Sequence, residues 1–329
     1  MVKRIAGLTF VVASVVSFAC GSAAPGPEVT EASAGASIEI SELVGQIRDM
    51  AWAEEVDAAQ ALIEQQRPYH ESSSLGWLVA ASWLGRGASF AERWDVAEQY
   101  AREAYEGSLA VLSERELDAE GQLPTALGAG IEVLGHVQDA TGDRTGAVEF
   151  LRAQRERYRG TSIETRIQKN VMLLSLEGQP FPVLDVEHHI GVTLPSADGL
   201  RGHVVVAFFW AHWCPDCKQQ LPILEQLHER YGERGLAILG PTQLYGYVSG
   251  GQDATPDAEL AYLRGAYQER YPIPPWMSVP VSQQNFLDFG VSTTPTVVVI
   301  DREGIVRLYH PGTVPYEELS AQVERLLAA

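Results

Sequence analysis

The sequence is poor in cysteine and in basic residues. Its 329 residues include only three cysteines, and 24 lysine and arginine residues stand against 43 aspartate and glutamate residues. The cysteine count excludes a four-cysteine zinc site. The net charge of −19 excludes the basic surface that nucleic-acid binding requires. We therefore expect a well-solvated acidic exterior and no nucleic-acid partner.

Residues 1–19 have the composition of an export signal. Lys3 and Arg4 form a charged start, and the apolar segment that follows, from Ile5 to Ala19, is too short for a comfortable membrane span. This pattern predicts a mature protein that works outside the cytoplasm. Residues 20–37 are rich in Ala, Gly, Ser, Pro and Glu, which predicts a flexible tether.

Cys20 lies in a loose lipoprotein box, in which Ser17 occupies the position where leucine is usual. Exported proteins seldom keep an unpaired cysteine. Acylation of Cys20 would satisfy this tendency, because it would leave Cys214 and Cys217 as a pair. We predict a periplasmic lipoprotein that is anchored in a membrane through Cys20. The alternative, removal of Cys20 with the signal peptide, stays open.

Residues 38–177 are predicted to form an all-α domain, because apolar residues recur at spacings of three and four. A weak internal repeat relates two sets of residues at one constant offset. The first set is Trp77, Ala81, Leu84 and Ala97, and the second set is Leu127, Ile131, Leu134 and Ala147. Each copy is predicted as two helices joined by a turn, which contains Gly87 in one copy and Gly142-Asp143 in the other. These units resemble degenerate tetratricopeptide repeats. Such a domain either binds a partner on its concave face or serves only as a packed helical spacer.

Residues 178–329 are predicted to form an α/β domain. Gly178 to Pro182 interrupts the helical pattern. After it, strand-like and helix-like segments alternate, which predicts a sheet covered by helices. The strands are expected at 203–209, 235–240, 296–300 and 305–309, and the helices at 216–231, at 257–270 and from Tyr316 onward.

Cys214 and Cys217 carry the chemistry of this domain. They flank Pro215-Asp216 directly after an apolar run, so both sulfurs are expected on the first turn of a helix, with the first sulfur accessible. Such a pair exists as a dithiol or as a disulfide, which predicts redox chemistry.

A metal site is the alternative, with His188 and His189 as further ligands. A second cysteine pair is lacking, so we predict no metal and no cofactor, with both histidines in a solvated loop and His212 exposed near the site.

Several motifs in this half resemble the thioredoxin superfamily, and especially the exported thiol-disulfide oxidoreductases of the TlpA and ResA type. They occur in the expected order: Phe209-Trp210-Ala211-His212-Trp213-Cys214-Pro215-Asp216-Cys217, Gly290-Val291-Ser292-Thr293-Thr294-Pro295-Thr296 and Asp301-Arg302-Glu303-Gly304. The resemblance covers 178–329. It implies that Cys214 attacks a disulfide from the start of its helix and that Cys217 resolves the mixed disulfide.

The resemblance also implies a substrate-binding surface. Pro295 is implied to be a cis-proline, which leaves the backbone of Thr294 to pair with a substrate segment. Trp213, Pro215 and Asp216 are expected beside it, whereas Trp210 fits either the site or the core.

Phe208 departs from the superfamily pattern, because thioredoxins carry a buried acid at this position. The group that moves the proton of the second thiol is therefore unassigned. The resemblance implies a reductase of disulfides in exported proteins that receives electrons from a membrane donor. An envelope scaffold, in which the helical domain is the working part, is the alternative.

Overall fold

A computed structural model describes residues 37–195 and 197–329 of the chain. The predicted export signal, nearly all of the tether and Cys20 lie outside the described residues. Within the described ranges, no helix combines the length and the apolar character needed to cross a bilayer.

The first half of the described chain is all-helical, as predicted. Ser74 shows how the sequence starts one of these helices, since its hydroxyl accepts a hydrogen bond from the N–H of Trp77 and caps the first turn. The helices are α1 (Ile40–Trp52), α2 (Val56–Gln66), α3 (Leu75–Phe90), α4 (Trp94–Val111), α5 (Gln122–Ala140), α6 (Arg144–Arg157) and α7 (Glu164–Ser175).

The internal repeat corresponds to the helix pairs α3–α4 and α5–α6. The second pair turns at Gly142, whose φ is 98°, and Asp143 caps α6. The first pair turns at Glu92, with φ 56°. The prediction for Gly87 is wrong, because Gly87 lies inside α3, where a Cβ atom would come within 2.7 Å of the Cα of Ala51. Close helix packing explains this glycine. The likeness to tetratricopeptide repeats stays a prediction.

The second half has an α/β fold with one six-stranded mixed sheet. The sheet order is β1-β4-β3-β2-β5-β6, with β2, β3 and β4 parallel and β1, β5 and β6 antiparallel to their neighbours. Its core strand β2 is buried along its whole length. The strands are β1 (His188–Gly191), β2 (Val204–Phe209), β3 (Leu236–Leu239), β4 (Ser278–Val281), β5 (Thr296–Ile300) and β6 (Val306–Pro311). The helices are α8 (Ala197–Leu200), α9 (Pro215–Tyr231), α10 (Pro256–Arg264), α11 (Ala266–Arg270), α12 (Gln283–Asp288) and α13 (Tyr316–Ala328).

All four predicted strands are present, but sequence reasoning missed β1 and β4. Pro280 lies inside β4, and a proline argues against a strand unless its missing N–H is tolerated. The prediction that His188 and His189 occupy a solvated loop is wrong. Both are half-buried in β1, and the Nε2 atom of His189 lies 3.1 Å from the Ser278 hydroxyl. Pairing with β4 explains their position.

Helix α7 joins the two halves of the described chain by direct contact. The side-chain amide of Gln168 donates a hydrogen bond to the backbone carbonyl of Asp288 at 3.0 Å. A Cβ atom on Gly290 would lie 2.2 Å from the backbone nitrogen of Lys169. The segment that leads to Pro295 therefore rests against the backbone of the helical half.

Candidate active site

Cys214 caps the N-terminus of α9. Its Sγ accepts a hydrogen bond from the N–H of Cys217 at 3.3 Å, and Pro215 begins the helix. Proline suits this position because its missing N–H would have no partner in the first turn. Asp216 lies in the same turn and complements the helix dipole. The predicted junction of strand, turn and helix thus places both cysteines on one turn.

The Thr294–Pro295 peptide bond is cis, as predicted. The thiol of Cys214 donates a hydrogen bond to the backbone carbonyl of Thr294, with 3.2 Å between sulfur and oxygen. The backbone carbonyl of Pro295 accepts a hydrogen bond from the N–H of Gly312 at 2.7 Å, which ties this segment to the end of β6. The structure therefore brings together Cys214, Cys217, Thr294 and Pro295.

Both cysteines are free thiols and both are buried, which corrects the expectation of an accessible first sulfur. Only 3% of Cys214 is exposed, because the thiol packs beneath Thr294. Trp213 is 45% exposed beside it, as expected of a residue at the rim of the site. Burial raises the pKa of Cys217 well above its usual range, and its contact with Cys214 acts in the same direction. Cys217 is therefore a thiol at neutral pH.

Trp210 belongs to the core. It is buried, its indole N–H donates a hydrogen bond to the backbone carbonyl of Gly240 at 2.9 Å, and its ring stacks on Tyr267. Phe208 is also buried, and together with Cys217 it lines a cavity of about 180 Å³. The residues that line this largely apolar cavity also include Glu225, which is exposed. The position of the usual acid is therefore apolar in this chain.

The prediction that His212 is exposed is wrong. Only 4% of it is exposed, and its Nε2 lies 3.2 Å from a carboxylate oxygen of Glu259, which is fully buried on α10. Sequence reasoning missed Glu259, because nothing local marks an acid in an amphipathic helix as a partner of a residue so far away in the chain. Burial lowers the pKa of His212, although Glu259 opposes this shift.

Among residues 37–195 and 197–329, no group of three or more His, Cys, Asp or Glu side chains is arranged to hold a metal ion.

Comparison with known proteins gives matches to the second half of the chain. Residues 196–327 match the family profile of the thioredoxin-like domain. Thioredoxin-like protein YneN of Bacillus subtilis is 24% identical over 149 residues, which are 45% of this chain and 79% of YneN. Thiol-disulfide oxidoreductase ResA of Bacillus anthracis is 25% identical over 158 residues, 48% of this chain and 81% of ResA.

Two further similarities extend this comparison. Thiol:disulfide interchange protein DsbE of Pseudomonas fluorescens is 27% identical over 176 residues, 52% of this chain and 86% of DsbE. The crystal structure of a thiol-disulfide isomerase from Corynebacterium glutamicum superimposes with a TM-score of 0.39 at 22% identity, covering 46% of this chain and 97% of that one.

Proposed function

We propose that this chain reduces disulfide bonds of exported proteins through Cys214 and Cys217, because residues 196–327 match the thioredoxin-like domain profile and relatives of this half include a thiol-disulfide oxidoreductase and a thiol:disulfide interchange protein. One observation carries the proposal. The Sγ of Cys214 contacts both the N–H of Cys217 at the start of α9 and the carbonyl of Thr294 beside the cis-proline. The proposed nucleophile, the Sγ of Cys214, therefore lies directly beside the backbone of Thr294 on which a peptide would bind.

The first step is attack by the thiolate of Cys214. Loss of its proton breaks the hydrogen bond to Thr294, while the N–H of Cys217 and the helix N-terminus stabilise the negative charge on sulfur. The thiolate attacks one sulfur of the substrate disulfide. A mixed disulfide with Cys214 forms, and the other substrate sulfur leaves as a thiolate.

The second step is resolution by Cys217. Its raised pKa keeps it protonated until the mixed disulfide has formed, which limits premature reaction. Once its proton has left, Cys217 attacks Cys214, the Cys214–Cys217 disulfide forms, and the second substrate sulfur leaves. Two electrons have then passed from this chain to the substrate. A dithiol donor in the membrane is proposed to return them.

The substrate is proposed to bind as an extended segment along Thr294. A peptide next to a cis-proline loop pairs through its backbone, which tolerates many sequences. The exposed ring of Trp213 offers apolar contact area beside this segment. Pro215 and Asp216 complete the proposed rim of the site.

Export and anchoring through Cys20 complete the proposal. They are supported by the charged start and the short apolar segment at the N-terminus of the sequence. Mass spectrometry of the mature protein is the test, and we expect an N-terminal diacylated Cys20. A mature chain that begins after Cys20 would contradict the anchor and would leave the proposed chemistry intact.

Trapping tests the chemistry. In Cys217→Ser the mixed disulfide with a peptide substrate should accumulate, because the resolving sulfur is missing. Cys214→Ser should form no such adduct and should lose reductase activity. Disulfide reduction at the wild-type rate by Cys214→Ser would refute the proposal, and full retention of the cellular role by that variant would favour the scaffold alternative.

A further inference from the structure

His212 and Glu259 form a buried pair beside the dithiol that the exchange steps above do not use. We propose that they are a positioning pair, which anchors the turn that carries Cys214 and makes the reduction potential of the dithiol depend on the protonation of His212. This inference rests on the proposed function, since it concerns the redox pair of that same site.

The turn that precedes α9 depends on one residue that points inward. The N–H of Cys214 donates to the carbonyl of Ala211 at 3.1 Å, so His212 and Trp213 are the two central residues of a closed turn. Trp213 is 45% exposed, whereas His212 is buried. The imidazole is therefore the side chain that fixes this turn to the protein interior.

Glu259 is the buried side chain that the imidazole contacts. No part of it is exposed, and its two oxygens accept hydrogen bonds from the N–H of Tyr245 at 2.8 and 3.0 Å and from the N–H of Gly246 at 2.7 Å. A buried carboxylate is costly unless donors surround it. Backbone donors therefore offset the cost of burying Glu259, and the Nε2 of His212 lies 3.2 Å from one of its oxygens.

Both ring nitrogens of His212 have an acceptor. Nε2 lies 3.2 Å from an oxygen of Glu259, and the backbone carbonyl of Tyr247 accepts a hydrogen bond from the ring. A neutral imidazole donates only once, whereas an imidazolium donates twice. This arrangement of acceptors favours the protonated ring, while burial favours the neutral one. The opposition leaves His212 able to change charge without losing its place.

The groups that face the imidazole come from one loop and three helices. The loop after β3 contributes the rings of Tyr245 and Tyr247, α10 and α11 contribute those of Tyr262 and Tyr267, and α9 contributes the positive charge of Lys218. Glu259 is the anionic group in contact with the ring. The charge of the pair is therefore neutral when His212 is protonated and −1 when it is not.

This change of charge occurs two residues from the attacking sulfur. A buried negative charge disfavours a nearby thiolate, and its neutralisation favours one. Protonation of His212 should therefore stabilise the reduced form of the dithiol and make the pair more oxidising. By reciprocity, the thiolate in the reduced form should bind the proton of His212 more tightly than the disulfide does.

The first test uses the wild-type chain, so it does not depend on the folding of a variant. The imidazole of His212 is titrated by NMR in the dithiol form and in the disulfide form. We expect the pKa of His212 to be higher in the dithiol form. Equal pKa values of His212 in the two forms would overturn the coupling.

The second test uses His212→Gln and Glu259→Gln, with His228→Gln as the matched control. His228 lies in the last turn of α9 and stacks on Trp276, away from the dithiol at the start of that helix. Equilibrium with glutathione and the alkylation rate of Cys214 are measured from pH 5 to pH 8. We expect Glu259→Gln to speed alkylation about tenfold at neutral pH, because it removes the buried charge.

In the wild type, we expect the plot of alkylation rate against pH to show an inflection below the usual pKa range of histidine. His212→Gln should remove this inflection, and the plot for His228→Gln should match that of the wild type. Profiles of all three variants that coincide with the wild type would refute the inference. None of these measurements needs a protein substrate, so they separate failure of this inference from failure of the proposed reductase function.

Discussion

Gly290→Ala should disturb the contact between the helical half and the segment that carries Pro295. Gly290 has φ 64°, a conformation that disfavours residues with a side chain. Its new Cβ would meet backbone atoms, the nitrogen of Lys169 at 2.2 Å and the carbonyl carbon of Gln168 at 2.5 Å. Backbone cannot rotate away as a flexible side chain does. Either α7 or the segment must therefore move by roughly 1 Å to reach ordinary contact distance.

The expected cost has two parts. The left-handed conformation costs about 1–2 kcal/mol for a residue with a Cβ, and forcing an atom into a packed contact costs about 1–3 kcal/mol. We therefore expect Gly290→Ala to lower the free energy of unfolding by roughly 2–5 kcal/mol. A shift of roughly 1 Å at Thr294 should also lower kcat/KM for a peptide disulfide by tenfold or more, because reacting groups tolerate little misplacement.

Gly304→Ala is the matched control. Gly304 has φ 84°, but a Cβ there would meet no atom within 4 Å. This variant should show only the conformational cost of about 1–2 kcal/mol, and its kcat/KM should stay near the wild-type value. Urea unfolding and steady-state reduction of a peptide disulfide measure both quantities. Equal destabilisation of the two variants with unchanged kcat/KM would refute the role assigned to the contact with α7.

Three further predictions concern other parts of the chain. Trp213→Ala should raise KM for a peptide disulfide severalfold and change the free energy of unfolding by no more than about 0.5 kcal/mol; an equal effect on a small-molecule disulfide would argue against peptide contact. Glu132→Gln should lower the free energy of unfolding by about 3–5 kcal/mol, because Glu132 is buried against three cations, Arg166, Lys169 and Arg86; a urea midpoint near that of the wild type would contradict this. Burial opposes ionisation of Glu132, but these cations outweigh it and hold its pKa well below the usual range. Its contribution should thus be complete above the unfolded pKa of about 4.5 and decline as the pH falls below it, and urea midpoints should decline more steeply in the wild type than in Glu132→Gln.

The features that the sequence predicts well are local ones. The strand before Cys214, the proline after it and the first turn of α9 lie within one short stretch, so spacing alone places both sulfurs on one turn. Pro295 lies directly before an apolar strand and belongs to a motif whose cis bond the resemblance implies. In each case the deciding interactions join residues close in the chain.

The features that sequence reasoning missed depend on contacts between distant segments. His212 is buried only because α10 brings Glu259 to it, and no property of its own neighbours indicates this. Gly87 looks like a turn residue until α1 packs against it. Trp210 fits the site or the core equally well until its indole is seen to bond Gly240. Helical periodicity and residue type do not specify which segments meet.

The structure also assigns two separate supports to the two sides of the attacking sulfur. Glu259, from the α10 segment, holds the turn that delivers Cys214, whereas α7 of the helical half holds the segment that ends at Thr294. The first support acts on the charge and position of the nucleophile, so its loss should change the reduction potential and the pH profile. The second acts on the proposed substrate surface, so its loss should chiefly change kcat/KM for peptides. The two supports meet at the hydrogen bond between Cys214 and Thr294, so a double-mutant cycle of Glu259→Gln and Gly290→Ala should show a departure from additivity that measures this link.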